Sequence, residues 1–169
     1  MREILFRGKR IDNGEWVEGA YCKRDTVKVC LSSDDPKSKH LIIVDGFCDW
    51  GFEPPLNAYE VDPATVGQFT GLTDKNGKKI FEGDIVRYGM IYDFECYLES
   101  LENPDAYDGE VCDHDIEVDV VEWCLGYDYP AFDLKKHQFE CNGLSQIMCG
   151  DYEYEIIGNI HDNPELLEV

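Results

Sequence analysis

The sequence predicts a mainly β protein, and three observations support this fold class. Many short segments are rich in β-branched and aromatic residues and are bounded by turn residues, which is typical of strands. Two tight turns, at Asn13-Gly14 and Asn76-Gly77, suit hairpins because both residue types tolerate positive φ. The 169 residues are 43% apolar and 12% aromatic, enough to build a core. Short strands between glycine-rich turns favour a small barrel or sandwich.

The first sixty residues predict an N-terminal β unit. Its strands are expected at 3–11, 15–23, 26–31 and 40–44. Residues 46–60 mix aromatic residues with Pro54 and Pro55, which excludes a regular helix and predicts a connection. We therefore place a domain boundary near residue 60, so the predicted domains are 1–60 and 61–169.

The second domain is also predicted to be mostly strands. They are expected at 66–72, 79–81, 85–88, 113–123, 131–134 and 154–157. Asp62 as N-cap with Pro63 at the first position predicts a single helical turn before them. Asn163 and Pro164 predict a short C-terminal helix in the same way. Residues 135–150 receive no assignment.

Charge is strongly negative and uneven. The chain has 36 acids and 15 bases, for a net charge of −21. Residues 89–130, called the acidic stretch below, hold thirteen acids and no Lys or Arg. Such a chain repels nucleic-acid phosphates and anionic membranes on average, and its charge favours solubility.

Four acids in this stretch form the candidate interaction surface. Asp113, Asp115, Glu117 and Asp119 alternate with His114, Ile116, Val118 and Val120. In a strand these carboxylates would share one face, spaced by about 6–7 Å. That spacing is too wide for one cation, so we predict no metal, but it resembles the phosphate repeat of one DNA strand. The simpler interpretation is a solvated face that blocks edge pairing.

No catalytic site is recognisable, and we predict that the protein is not an enzyme. Eight cysteines and four histidines include no C-x-x-C pair and no nucleophile elbow. The glycines occupy turn positions and form no phosphate loop, so we predict no cofactor. The thiols are expected to be reduced and buried. The N-terminus has no signal-peptide pattern and no apolar run approaches about 20 residues, so we predict a cytoplasmic protein.

A rival interpretation concerns bases near the N-terminus. Two aromatic residues, Trp16 and Tyr21, lie among six bases: Arg7, Lys9, Arg10, Lys23, Arg24 and Lys28. Together they could form a local positive patch for nucleic acid. The ordinary interpretation is solvated hairpin charge, so direct nucleic-acid binding is not the preferred prediction.

Three stretches carry a family resemblance: FRGKRIDNGEWVEGAY (6–21), VDPATVGQFTGLTDKNGKKIFEGDIVRY (61–88) and YEIIGNIHDNPELLE (154–168). In this order the chain resembles the YopX family of phage and prophage proteins, with 89–120 fitting poorly and looking like an acidic insertion. The resemblance implies a phage or prophage origin, a host-cell cytoplasmic location and an SH3-like barrel in the C-terminal part. It implies no catalytic residues and no function.

Together these observations predict a non-enzymatic phage or prophage protein that acts through an acidic surface on a host or phage protein. Exposed strand edges predict a homo-oligomer. The alternative is a nucleic-acid-associated β-barrel module.

Overall fold

The computed structural model describes residues 3–25, 38–46, 53, 55–90, 116–125, 130–137, 144 and 152–168. The strands in this part of the chain are β1 (Phe6–Lys9), β2 (Trp16–Asp25), β3 (Ser38–Asp45), β4 (Leu56–Glu60), β5 (Gly67–Thr73), β6 (Lys79–Phe81), β7 (Asp84–Met90), β8 (Glu117–Leu125), β9 (Pro130–Leu134) and β10 (Tyr152–Asn159). One sheet has the order β4-β3-β2-β1-β5-β6 and the other has the order β10-β7-β8-β9. The predicted mainly β fold is therefore confirmed.

The chain divides into two compact units, Met1–Phe69 and Thr70–Val169. The boundary predicted from sequence lies at residue 60. The predicted strand at 26–31 and residues 91–115 of the predicted acidic insertion lie outside the described residues.

The first unit is built on the predicted β1–β2 hairpin. Gly14 has φ +73° at its turn, and its N–H donates to the Arg10 carbonyl at 2.9 Å. β3 pairs with β2 as an antiparallel neighbour, and β4 pairs with β3. β4 corrects the prediction of an irregular connection over 46–60. Its residues are alternately exposed and half-buried, so no apolar row marked it as a strand.

Close packing in this unit requires a glycine in β2. A Cβ atom on Gly19 would lie 2.2 Å from the Ile43 carbonyl oxygen. Ile42, which is fully buried, fills the space beside it. The missing side chain therefore lets β2 and β3 pack around a small core.

The second unit has its core between β7, β8, β9 and β10. The core residues are Ile80, Val86, Tyr88, Val121, Phe132, Leu134, Leu144 and Tyr154. Burying each large apolar side chain of this kind stabilises the fold by about 1.5–3 kcal/mol. Tyr88 and Tyr154 lie opposite each other on β7 and β10, with their rings stacked 5.5 Å apart.

Two details of the prediction need correction. The C-terminal helix is a four-residue 3-10 turn, Pro164–Leu167, and Asn163 makes no side-chain capping bond there. The described strands close no barrel, so the SH3-like barrel is not confirmed.

The predicted turn after Asp62 is confirmed as a 3-10 turn, Pro63–Thr65, in which Asp62 accepts from the Ala64 N–H at 2.9 Å. Among the described residues, no helix has the length and apolar character to cross a bilayer.

Candidate functional site: acidic strand β8 and its surroundings

Glu117 begins β8 and is the exposed member of the predicted acidic row. It pairs with Tyr88 of β7, and the Tyr88 hydroxyl donates to Glu117 Oε2 at 2.7 Å. Burial raises the pKa of Tyr88 above its ordinary value, and the hydrogen bond to Glu117 raises it further. Tyr88 therefore stays protonated and holds one carboxylate oxygen in place at the start of the strand.

Asp119 lies two residues further on and does not reach solvent. It is 2% exposed. Its Oδ1 accepts from the Val120 N–H at 2.8 Å, and its Oδ2 accepts from the Lys136 N–H at 2.6 Å. The opposite residue in the register is core residue Val86, so Asp119 shares the core-facing side of β8.

The expected separation of a carboxylate face from an apolar face therefore does not hold at Asp119. The amide that binds this carboxylate belongs to Lys136, in the 3-10 turn Lys135–His137. The sequence predicted no secondary structure for this segment. Asp113 and Asp115 lie outside the described residues. Among the described residues, the row is represented at the surface by Glu117 alone.

Glu122 is the next acid along β8 and is partly neutralised. Lys135 Nζ lies 3.2 Å from Glu122 Oε1, and both side chains reach solvent. An exposed ion pair of this kind contributes about 0–1 kcal/mol. Lys135 therefore lies beside Glu122, whereas Lys136 Nζ donates to the Val118 carbonyl at 2.9 Å, next to Glu117.

Charge is distributed very unequally between the two units. Residues 1–69 hold 12 acids and nine bases, whereas residues 70–169 hold 24 acids and six bases. The thirteen acids of the acidic stretch join β7 to β8 and continue to the start of β9. Opposite charges on a partner would be attracted mainly to the second unit.

Other buried carboxylates in the second unit bind backbone amides. Asp84, 1% exposed, accepts from the Phe81 N–H at 2.8 Å, and Asp133 accepts from the Leu134 N–H at 2.8 Å. Asp74 accepts from Asn76 and Lys78. Sequence reasoning missed these roles, although Asp at the first position of the 74–77 turn is a recognisable signal for one of them.

The N-terminal bases are divided between the two faces of the first sheet. Lys9 lies opposite Trp16, with its Nζ 5.5 Å from the ring centroid, and the Arg7 Cζ lies 4.8 Å from the same centroid. Arg10, on the alternate face, packs over the Tyr59 ring at 4.2 Å. We call Lys9 and Trp16 the Trp16 surface, beside which Arg7 is buried. Lys23 and Arg24 are exposed on β2, and Lys28 lies outside the described residues.

The two cysteines described by the structure differ in exposure. Cys22 is exposed and Cys124 is buried, and both are unbridged. Burial raises the pKa of the Cys124 thiol, and the nearby charges of Asp133 and Glu122 raise it further. Cys124 is thus a poor nucleophile at neutral pH. In the part of the chain that the structure describes, no three His, Cys, Asp or Glu side chains gather as metal ligands would.

Comparison with known proteins gives a family match. A family model described as "YopX protein" matches residues 5–168. No curated protein matches the chain. The stretches that carry the resemblance in the sequence build β1 and β2, then β5 to β7, and finally β10 with the terminal turn. They therefore supply most of the described strands.

Proposed function

The chain belongs to the YopX family, and from that premise we propose that it is a non-enzymatic phage-type protein that binds a basic host or phage protein through its acidic stretch. The observation that carries the proposal is the run of thirteen acids without a base over residues 89–130. A partner with a positive surface would be steered towards it and held by salt-sensitive contacts.

The charge of the acidic stretch indicates the nature of the partner. A protein that binds nucleic-acid phosphates carries a positive surface, and the acids of residues 89–130 offer the opposite charge. A protein that normally binds nucleic acid is therefore the partner class proposed, and the host cytoplasm is the proposed location.

Three buried aspartates stabilise the fold and are not available to a partner. Asp84, Asp119 and Asp133 accept from backbone amides, which uses their oxygen lone pairs to stabilise the fold. Charge available to a partner must then come from exposed acids such as Glu117. This division separates structural carboxylates from interacting ones.

The test is capture from a nuclease-treated bacterial lysate by the immobilised full chain. At low salt we expect basic nucleic-acid-binding proteins to be retained, and at high salt we expect them to elute. In one variant, four glutamates of the acidic stretch become glutamine: Glu95, Glu99, Glu102 and Glu110. This variant should lose the captured proteins.

The matched control changes four exposed glutamates elsewhere to glutamine: Glu18, Glu53, Glu165 and Glu168. Both variants have the same net charge, so a location-specific site predicts that the control retains the partner. Equal loss in both variants, or retention of no basic protein by the unmodified chain, would refute the proposal.

A second candidate function is direct binding of single-stranded nucleic acid at the Trp16 surface. The placement of Lys9 beside the half-buried indole of Trp16 favours it, because base stacking and phosphate contacts use these groups. Fluorescence anisotropy of a labelled oligothymidine at low ionic strength measures it. We expect Lys9→Gln to weaken binding and the exposed Lys78→Gln control to leave it unchanged. Unchanged anisotropy on adding the full chain would remove this candidate.

A further inference from the structure

The outer edge of β10 is covered by a turn from its own unit. Among the described strands, β10 ends the second sheet and has β7 as its one neighbour in the strand order. In an antiparallel pair, successive residues point their backbone groups alternately towards and away from the neighbour. The Tyr154 carbonyl and the Ile156 N–H both bind groups of the 74–75 segment, so these two residues are outward-facing.

The covering segment is the rigid turn between β5 and β6. Asp74 Oδ1 accepts from the Asn76 N–H at 2.9 Å and the Lys78 N–H at 2.8 Å. The Gly77 N–H donates to the Asp74 carbonyl at 2.9 Å, and Gly77 has φ +78°. One carboxylate oxygen thus fixes the turn, while the other remains for a different contact.

Three contacts join this turn to β10. The Lys75 N–H donates to the Tyr154 carbonyl at 2.9 Å, and the Ile156 N–H donates to Asp74 Oδ2 at 3.2 Å. Lys75 Nζ lies 3.4 Å from Glu155 Oε2. The turn therefore satisfies backbone groups that a further strand would otherwise bind.

We propose that the 74–77 turn is a latch, and that the edge of β10 beneath it is an interaction surface for the same edge of a second copy of this chain. Opening the latch exposes a donor and an acceptor two residues apart. Two such edges are self-complementary in antiparallel pairing, as a two-fold dimer requires. This gives the predicted homo-oligomer a specific interface, and it does not rest on the proposed function.

The charge of β10 determines how such pairing responds to salt. In a symmetric pair centred on Glu155, this carboxylate would face its own copy without Lys75 beside it. Arg87, whose Nη1 lies 3.9 Å from Glu155 Oε2, would partly offset the repulsion. Salt screens like charges, so edge pairing should strengthen with ionic strength. Binding of a basic partner by the acidic stretch should instead weaken as ionic strength rises. The opposite salt dependences distinguish a failure of the edge-pairing proposal from a failure of the proposed function.

Asp74→Asn is the sharpest variant for the test. Its amide oxygen still accepts from Asn76 and Lys78, and Asn suits the first position of this turn. The asparagine NH₂ group takes the place of Asp74 Oδ2, and because it is a donor it cannot accept from the Ile156 N–H. We expect light scattering to show the mass doubling from 19.4 kDa as concentration and salt rise. At low concentration, where the variant is monomeric, exchange of the Ile156 amide should accelerate. Asp62→Asn, which keeps a turn acceptor for Ala64 away from β10, should stay monomeric.

A second variant removes the hydrogen bond between the Lys75 N–H and the Tyr154 carbonyl. Lys75→Pro removes the donor to Tyr154, and proline suits the second position of the turn, so folding should be retained. Adding Glu155→Gln to either variant should shift dimerisation to lower salt. The proposal is overturned if the folded variants remain monomeric at high concentration and salt. It is also overturned if they associate while, at low concentration and low salt, the Ile156 amide of the monomeric variant stays as protected as in the unmodified chain.

Discussion

At the scale of single residues, the buried aspartates determine the local structure of the second unit. Asp84 and Asp119 are 1% and 2% exposed, yet each binds a backbone amide. A buried amide that loses its partner keeps its full cost of desolvation. These acids are therefore structural, although the sequence places Asp119 in a run of exposed charge.

Removing the Asp84 carboxylate tests this role. Asp84→Ala leaves the Phe81 N–H without this acceptor, and we expect the free energy of unfolding to fall by about 1–3 kcal/mol. Chemical denaturation measures the change. Asp45→Ala, at an exposed position of β3, should change it by less than about 0.5 kcal/mol. Equal effects at the two positions would contradict the structural role.

Tyr88 makes stability depend on alkaline pH. Its pKa is raised in the folded state by burial and by Glu117, whereas the unfolded value is about 10. Its contribution is therefore complete below pH of about 10 and is lost as pH rises above that value, at up to about 1.4 kcal/mol per pH unit.

The matching variant is Tyr88→Phe, which cannot ionise. Near neutral pH it should lower the free energy of unfolding by about 1 kcal/mol, because the hydrogen bond to Glu117 is lost. Above pH of about 10, denaturation curves should show a shallower loss of stability for the variant than for the unmodified chain. Parallel pH profiles would indicate that Tyr88 is not protected from ionisation.

At the scale of elements, turns are where sequence and structure agree best. The hairpin turn at Gly14 and the turn at Gly77 were both predicted, and both glycines have positive φ. Local chemistry suffices there because the requirement lies within four residues. β4 was missed because its pairing with β3 depends on residues about 15 positions away.

The latch and the burial of Asp119 were beyond sequence reasoning for a related cause. Asp74 binds Ile156, and Asp119 binds the Lys136 amide, so each contact depends on how distant segments pack. The prediction of a terminal helix was wrong for a local reason. Its four residues form a 3-10 turn because they are too few to propagate an α-helix.

Gly77 provides a test at this scale. A Cβ there would meet no atom within 4 Å, so Gly77→Ala changes backbone strain without a steric clash. We expect a loss of about 1–2 kcal/mol in the free energy of unfolding. Gly77→Asn should lose less, because Asn tolerates the left-handed region. A neutral alanine variant would contradict the positive φ.

At the scale of the whole molecule, the stretches that build most of the described strands differ from the stretch that holds most of the net negative charge. The family match covers residues 5–168, and the stretches that carry the resemblance build most of the described strands. Residues 70–169 hold 24 of the 36 acids. A mainly β frame was predictable from turns and strand composition. The burial of Asp119 was not, because its carboxylate binds the amide of Lys136, 17 residues away.

The acidic stretch as a binding surface is the central claim, and the salt dependence of partner affinity tests it most directly. The captured partner is titrated by calorimetry against the unmodified chain and the two glutamine variants over a range of salt concentrations. We expect a steep loss of affinity with salt for the unmodified chain and the control, and a shallower loss for the variant of the acidic stretch, because fewer charges contribute. Identical salt slopes for all three proteins would contradict the claim.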